Sequence, residues 1–346
     1  MAVKSLAIKY RPKTFDDVTE QGSIKTILEY QIQSGTVKNG YLFCGGAGTG
    51  KTTCARIFAN EINGGKGEPI ELDAASNNSV DDIRRLCEQA QTKSIDSEYK
   101  IFIIDECHSL SNQAWQAALK TLEEPPTKSI FIFCTTDPQK IPKTILSRVQ
   151  RYNFQRISLE GIIGRLFYIL EQEEPEVEGL DWEAPAVEYL AKLADGGMRD
   201  AITLMDKCLS FSPKLTVENV VKALGVVNYD DMLSLNKMII DKDIPGVIKF
   251  VSDIHSSGRD LKLFVKDYFE FVLDICIFLE QNSLQYTKIP TIYSDKLHYM
   301  VAEASILQSL LTNLVSLNAN IKWEQNPKAV IIANLILFMN ESEVGV

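Results

Sequence analysis

The sequence predicts an α/β region followed by an all-α region, and three observations carry that reading. From Tyr41 to about Arg156, short apolar runs alternate with helix-period segments, the pattern of a parallel sheet covered by helices on both faces. After Arg156 the strand signals stop. From about Asn228 to the end, Leu, Ile, Val and Phe recur at helical spacing, with breaks expected at Pro245, Gly258, Pro290 and Pro327.

The expected strands are Tyr41 to Cys44, Pro69 to Leu72, Ile101 to Ile104 and Ile130 to Cys134. A helix carrying Cys54, Phe58 and Ile62 follows the first and is closed by Asn63-Gly64-Gly65. Between the last two strands, Trp115, Ala118, Leu119 and Leu122 share one helix face, opened by Ser111 and stopped at Pro125-Pro126. Further on, Leu159 to Glu171 and Pro185 to Phe211 read as helices, and the acidic stretch between them, Glu171 to Glu183, reads as a solvated connector. The apolar run Ala329 to Met339 contains Asn334 and is too short to span a bilayer, so it is expected to be a buried helix.

With 346 residues, a formal net charge of −10 and 45% hydrophobic residues, the chain can bury two or three cores and is neither disordered nor a disulfide-stapled scaffold. The acidic balance argues against broad coating of nucleic acid or anionic membrane, while leaving room for local basic patches. Seven cysteines without a C-x-x-C pair signal neither a disulfide framework nor a zinc site, which fits a reducing cytoplasm. No apolar signal core precedes Pro12.

The most informative stretch is Gly45-Gly46-Ala47-Gly48-Thr49-Gly50-Lys51-Thr52, a G-x-x-x-x-G-K-[ST] match placed after a strand and before a helix. Its glycines let successive N–H groups and the helix N-terminus point at phosphates. Lys51 neutralises β/γ charge, and the Thr52 hydroxyl can hold Mg2+. The strand Ile101 to Ile104 then delivers Asp105 and Glu106 at its C-terminal end, where ligands bind in open α/β sheets. Asp105 would hold Mg2+ through water and Glu106 would deprotonate an attacking water; the bland alternative is a helix cap. Thr135-Thr136-Asp137 ends the next strand and either places a hydroxyl near the γ-phosphate or is an ordinary Asx turn.

Taken together, these segments resemble the AAA+ ATPase subunits of sliding-clamp loaders, in particular the gamma/tau family of bacterial DNA polymerase III and its phage counterparts. The matching text begins with Tyr10-Arg11-Pro12, Phe15-Asp16-Asp17-Val18 and Gln21, then the P-loop and Glu71 to Ser76. It continues with Ile104-Asp105-Glu106, Leu119 to Pro126, Thr135 to Lys140, Ile145-Leu146-Ser147-Arg148 and Met198-Arg199-Asp200-Ala201. The resemblance implies an AAA+ P-loop domain over 1–157, a small helical lid domain over 158–224 and a C-terminal helical collar for oligomerisation over 225–346. It places Tyr10, Arg11 and Pro12 against the base and ribose of ATP, with Val18 and Thr53 also in the nucleotide site. Thr136 becomes the γ-phosphate sensor, and Arg199 reaches the phosphates of its own subunit from the lid. Arg148 becomes the finger that completes a neighbour's site, so the isolated chain is expected to be a poor ATPase.

The resemblance further implies a sliding clamp, primer-template DNA, and a ring containing this chain and at least one different subunit as partners, with no membrane. Two departures are visible. The family's four-cysteine zinc module has no room between Asn63 and Glu71, so no zinc is expected and the chain reads as a short form, phage-type or small-subunit. The family's Ser-Arg-Cys is Ser147-Arg148-Val149 here, which keeps the finger.

DNA would be held on an inward face. There Lys140, Lys143, Arg148, Arg151 and Arg156 outnumber Asp137, and helix starts offer Asn77, Asn78, Ser79, Arg84, Ser111, Asn112 and Gln113. The alternative is that the latter are N-caps and solvent-facing residues. The expected function is an ATP-dependent clamp-loader motor subunit. The rivals are another AAA+ DNA motor, for branch migration or initiation, and a nucleotide-binding scaffold subunit that does not hydrolyse.

Overall fold

The computed structural model describes residues 5–225, 228–298 and 300–341. In chain order the elements are α1 (Leu6–Lys9), α2 (Gly22–Ser34), β1 (Gly40–Cys44), α3 (Lys51–Ile62), β2 (Ile70–Asp73), α4 (Val80–Ala90), β3 (Lys100–Asp105) and α5 (Asn112–Glu123). Next come β4 (Ser129–Thr135), α6 (Lys143–Leu146), β5 (Gln150–Asn153), α7 (Leu159–Glu173), β6 (Asp181–Trp182), α8 (Ala184–Leu193), α9 (Met198–Phe211) and β7 (Lys214–Leu215). The remainder is helical: α10 (Val217–Leu224), α11 (Tyr229–Ile240), α12 (Ile244–Ser256), α13 (Leu261–Gln281), α14 (Ser294–His298), α15 (Ala304–Asn320) and α16 (Pro327–Glu341). The chain forms two compact units, the first comprising Met1–Glu173 with Ala194–Asp206, the second Glu174–Leu193 with Lys207–Val346.

Unit 1 is built on a five-stranded parallel sheet ordered β2-β3-β4-β1-β5. The middles of its central strands are apolar and buried because both faces are covered, and alternate side chains serve opposite cores. Tyr41, Phe43, Ile103 and Ile132 pack with Leu28, Cys54 and Phe58 from α2 and α3. Leu42, Phe102, Ile104 and Phe133 pack with Ile83, Leu86, Trp115 and Ala118 from α4 and α5. Each such burial contributes about 1.5–3 kcal/mol before entropy is counted. The register sets Cys44 beside Thr135 and Asn153, and Asp73 beside Asp105, so the strands end along one edge, where an open parallel sheet binds its ligands.

The expected α/β and all-α division holds, with four local corrections. β5 was not expected because Gln150-Arg151-Tyr152-Asn153 is polar; as an edge strand bonded only to β1 it buries just Tyr152. Strands do not stop at Arg156, since the two-residue β6 and β7 pair in parallel in unit 2. The helix expected over Pro185 to Phe211 breaks into α8 and α9, where Asp195 and Gly196 take φ of 47° and 82°, outside the helical region. The acidic connector is exposed at most positions, but Glu173 is buried and pairs with Lys9 at 2.7 Å.

In unit 2, α13 is the longest helix, started by Asp260, whose carboxylate accepts the Lys262 N–H at 2.8 Å. It packs on α15, and an aromatic cluster joins Tyr189, Tyr229, Phe271 and Tyr293 with ring centroids 5.3–5.4 Å apart. The four expected breaks appear: Pro245 and Pro327 open α12 and α16, Gly258 follows α12 and Pro290 precedes a short turn of helix. The run Ala329 to Met339 lies in α16 and buries Ile331, Leu335, Phe338 and Met339 while leaving Leu337 exposed. Among the described residues no single helix is long and apolar enough to cross a membrane.

Candidate functional site

β1 delivers the chain to the sheet edge, and the loop after it folds back through Gly45, whose N–H donates to the Thr135 carbonyl at 3.2 Å. A Cβ at Gly45 would lie 2.4 Å from the Phe154 carbonyl oxygen. Gly48 has φ of 69°, and a Cβ there would meet the Gly197 Cα at 3.0 Å. That close approach lets the Met198 N–H donate to the Gly48 carbonyl at 3.0 Å, docking the start of α9, and with it Arg199, on the loop.

Lys51 opens α3 and is only 6% exposed. Its ammonium donates to the Gly45 and Gly46 carbonyls at 2.9 and 2.7 Å. Burial lowers its pKa, opposed by the nearby Glu106 and Asp105 carboxylates. The Thr52 hydroxyl donates to Asp105 Oδ2 at 2.8 Å, and Asp105 Oδ1 accepts the Glu106 N–H at 3.0 Å. Glu106 sits at φ of 45°, a left-handed conformation uncommon for a residue with a side chain and concentrated at functional sites. Its Oε2 accepts from the Thr136 hydroxyl at 3.0 Å and lies 3.2 Å from His108 Nδ1. The same Nδ1 lies 3.2 Å from Thr135 Oγ1.

These groups face a cleft of about 460 Å³. Tyr10, Arg11, Pro12, Val18, Ala47, Gly48, Thr49, Gly50, Lys51, Thr52, Thr53, Asp105, Glu106 and Arg199 line it. At its other end the Tyr10 hydroxyl donates to Glu173 Oε1 at 2.5 Å, and Arg165 donates to the Tyr10 carbonyl at 3.0 Å. A buried ammonium, loop N–H groups and the N-terminus of α3 suit a phosphate chain. The paired Thr52 hydroxyl and Asp105 carboxylate are hard oxygen donors of the kind Mg2+ takes.

Beyond the geometry, the chain is 33% identical to subunit tau of DNA polymerase III from Bacillus subtilis over 95% of its own length and 62% of that protein. It is 32% identical to subunit gamma of DNA polymerase III from Buchnera aphidicola, covering 74% of this chain and 75% of that one. The chain belongs to the gamma/tau family of DNA polymerase III clamp-loader subunits. Two family models match within it, "DNA polymerase III, delta subunit" over residues 68–158 and "DNA polymerase III clamp loader subunit, ATPase lid domain" over 161–214. The chain spans about half the length of several tau-type relatives. Among solved structures, the Holliday junction branch migration motor RuvB of Thermotoga maritima is similar at a TM-score of 0.50, with 19% identity over 72% of this chain and 86% of that one. That likeness is one of fold, and it matches the AAA+ sheet expected.

The remaining expected residues of this gamma/tau family member fall outside the cleft lining. Gly45 and Gly46 meet Lys51 through their carbonyls, and Thr136 is tied to the cleft through Glu106. Arg148 is not among the lining residues; it is held by its own chain, donating to Glu123 Oε1 at 2.6 Å. Of the DNA candidates, Ser79 and Ser111 are N-caps, accepting from the Asp82 and Ala114 N–H groups at 3.2 Å. Arg84 pairs with Asp81, Lys140 with Asp137, and Asn77 donates to the Asp73 carbonyl. Asn78, Asn112 and Gln113 are exposed. The seven cysteines are free thiols, and burial raises the pKa of Cys44, Cys107 and Cys134.

Arg165, Arg56 and His108 were not anticipated. Arg165 and Arg56 line the cleft from helices α7 and α3 with no motif around them, so nothing in the sequence singles them out. His108 had a signal, its place two residues after Glu106 where the chain leaves the strand end.

Proposed function

We propose that this gamma/tau family member is an ATP-driven motor subunit of a sliding-clamp loader. The observation that carries the reading is the convergence of Lys51, Thr52, Asp105, Glu106 and Arg199 on one cleft at the carboxyl edge of the sheet. On this reading Lys51 exchanges its loop carbonyls for β/γ-phosphate oxygens, and Thr136 orients Glu106 so that its carboxylate takes a proton from the attacking water. Thr52 and Asp105 would hold Mg2+, whose charge offsets that of the phosphates. Arg199 senses the phosphates in cis, and Arg148 reaches the site of a neighbouring subunit.

Residues 158–224 serve as lid and 225–346 as collar in a ring of copies of this chain with at least one different subunit. ATP binding favours the form of the ring that grips the clamp and primer-template DNA, and hydrolysis favours the form that releases them. The site of action is the cytoplasm of a bacterium or of a phage-infected host. The test is steady-state ATPase of the wild-type ring and of Glu106→Gln, with and without clamp plus primed DNA. Stimulation in wild type and a loss of about 10² to 10⁴ in Glu106→Gln is expected. Hydrolysis indifferent to clamp and DNA would overturn the clamp-loading reading, and full activity in Glu106→Gln would overturn the assignment of the base.

A further inference from the structure

The Arg148 guanidinium is engaged within its own subunit on two sides. Nη2 donates to Glu123 Oε1 at 2.6 Å, while Nη1 donates to the Thr144 carbonyl at 2.6 Å and to Ser147 Oγ at 3.0 Å. Thr144 lies in α6, four residues long; the Lys143 and Ile145 carbonyls accept the Ser147 and Arg148 N–H groups, while the Thr144 carbonyl accepts from side chains, the Ser147 hydroxyl at 3.0 Å and Arg148. Arg148 therefore caps that helix as well as pairing with Glu123.

Glu123 stands in an unfavourable place. It is the last residue of α5, where the negative end of the helix dipole disfavours a carboxylate and favours a lysine. The charge is compensated by the arginine that α6 sets against it, α5 and α6 being packed together. We infer that Glu123 is a positioning residue for Arg148, ordering the guanidinium at the surface between α5 and α6 before a neighbour's triphosphate arrives. The inference rests on Arg148 acting in trans, as proposed above.

Magnitude separates ordering from locking. With side chains 32% and 45% exposed, this pair can shift an equilibrium by only about two- to fivefold. That is too little to withhold the guanidinium from a bidentate, charge-assisted pair with phosphate. It is enough to narrow the many rotamers of a long side chain toward the productive one, which raises the fraction of encounters that have the right geometry.

The test measures kcat, KM for ATP and the thermal midpoint in the ring reconstituted from the full chain and its partner subunits. The variants are Glu123→Gln, Glu123→Lys, Arg148→Ala and the double variant Glu123→Gln/Arg148→Ala. Glu123→Gln should lower kcat about two- to fivefold with KM unchanged, and should cost nothing further once Arg148 is gone. Glu123→Lys should lower kcat more while the thermal midpoint holds or rises, because lysine suits a helix C-terminus; a merely structural role would move both together. Wild-type kcat in both Glu123 variants, with Arg148→Ala defective, would overturn this inference and leave the proposed function standing. A raised kcat in Glu123→Gln, or an equal loss in the Arg148→Ala background, would also overturn it. If Arg148→Ala itself kept wild-type kcat, the finger assignment would fall first and this inference with it.

Discussion

Lys51 in unit 1 and Lys192 in unit 2 are nearly equally hidden, at 6% and 8% exposure, yet their partners differ in kind. Lys192 donates to the Ile289 carbonyl at 2.7 Å and pairs with Glu188 at 3.0 Å, while Glu188 also accepts from the Thr291 hydroxyl. Those bonds tie a loop to α8. Lys51 donates only to carbonyls of its own glycine loop, in a cleft where Asp105, Glu106 and Arg199 also converge. A loop carbonyl is a neutral acceptor that an anionic phosphate oxygen can displace, since charge-assisted bonds are roughly twice as strong. Buried charge alone therefore does not mark a site. What marks it is convergence on open space at the carboxyl edge of a parallel sheet.

If that contrast is right, changes in the first set of residues should move rate and binding while leaving folding nearly untouched. The largest effect is expected for Arg148→Ala. In the assembled ring kcat should fall by about 10³ to 10⁵, the usual worth of an arginine supplied in trans. Binding of a fluorescent ATP analogue should persist, whereas Lys51→Ala should lose that binding. Equal losses of nucleotide binding in both variants would place Arg148 in its own subunit's site and remove the need for a neighbour.

The sheet edge was legible in the sequence because each of its groups has a fixed local cause. A glycine loop after an apolar strand, two carboxylates after another and Thr136 after a third needed no long-range information to be placed on one edge. β5 was illegible because it buries one side chain where the central strands bury most of theirs, so Gln150-Arg151-Tyr152-Asn153 lacks an apolar run. Arg165 and Glu173, which fix Tyr10, were hidden because they come from a helix more than 150 residues further along the chain, where no periodicity distinguishes them from surface charge. The Glu123 pairing with Arg148 was invisible for the same reason, although both residues lay inside strings that carried the family resemblance. In unit 2 the helices were legible from spacing and breakers, but their buried charges were not, since spacing says nothing of what a side chain meets.

A sharper test of the sheet edge is Gly48→Ala. Gly48 has φ of 69°, and the added methyl would meet Gly197 backbone at 3.0 Å, so the start of α9 must lift away from the loop. A left-handed residue bearing a Cβ costs about 1–2 kcal/mol before that clash is counted. Displacement of Arg199 should then weaken ATP binding roughly thirtyfold, measured by equilibrium titration. Unchanged affinity would mean that the Gly48–Gly197 approach does not position Arg199.

The smallest effect tests the other half of the contrast. Burial pushes the Asp274 carboxyl from 3.8 up to about 6, with Glu270 adding to the rise and the Lys288 N–H, at 2.7 Å, opposing it. Asp267, two turns earlier on α13, is pushed up to about 6 as well, first by burial and then by Glu270. A carboxyl with a raised pKa keeps its proton in the folded chain after the unfolded chain has lost it. Its contribution is therefore fully favourable below about pH 4 and is lost as pH rises to about 6. Asp274→Asn removes that titration and can still accept the Lys288 N–H. Thermal melts should show a gain of about 1–3 kcal/mol at pH 7 that shrinks to nothing near pH 4, with ATPase rate unchanged at both. Parallel melting curves for wild type and variant across that range would mean that Asp274 is well solvated, and that unit 2 does not hold its charges at the expense of stability. A changed ATPase rate would mean instead that buried charge in unit 2 takes part in the catalytic cycle, and the division between the two regions would have to be redrawn.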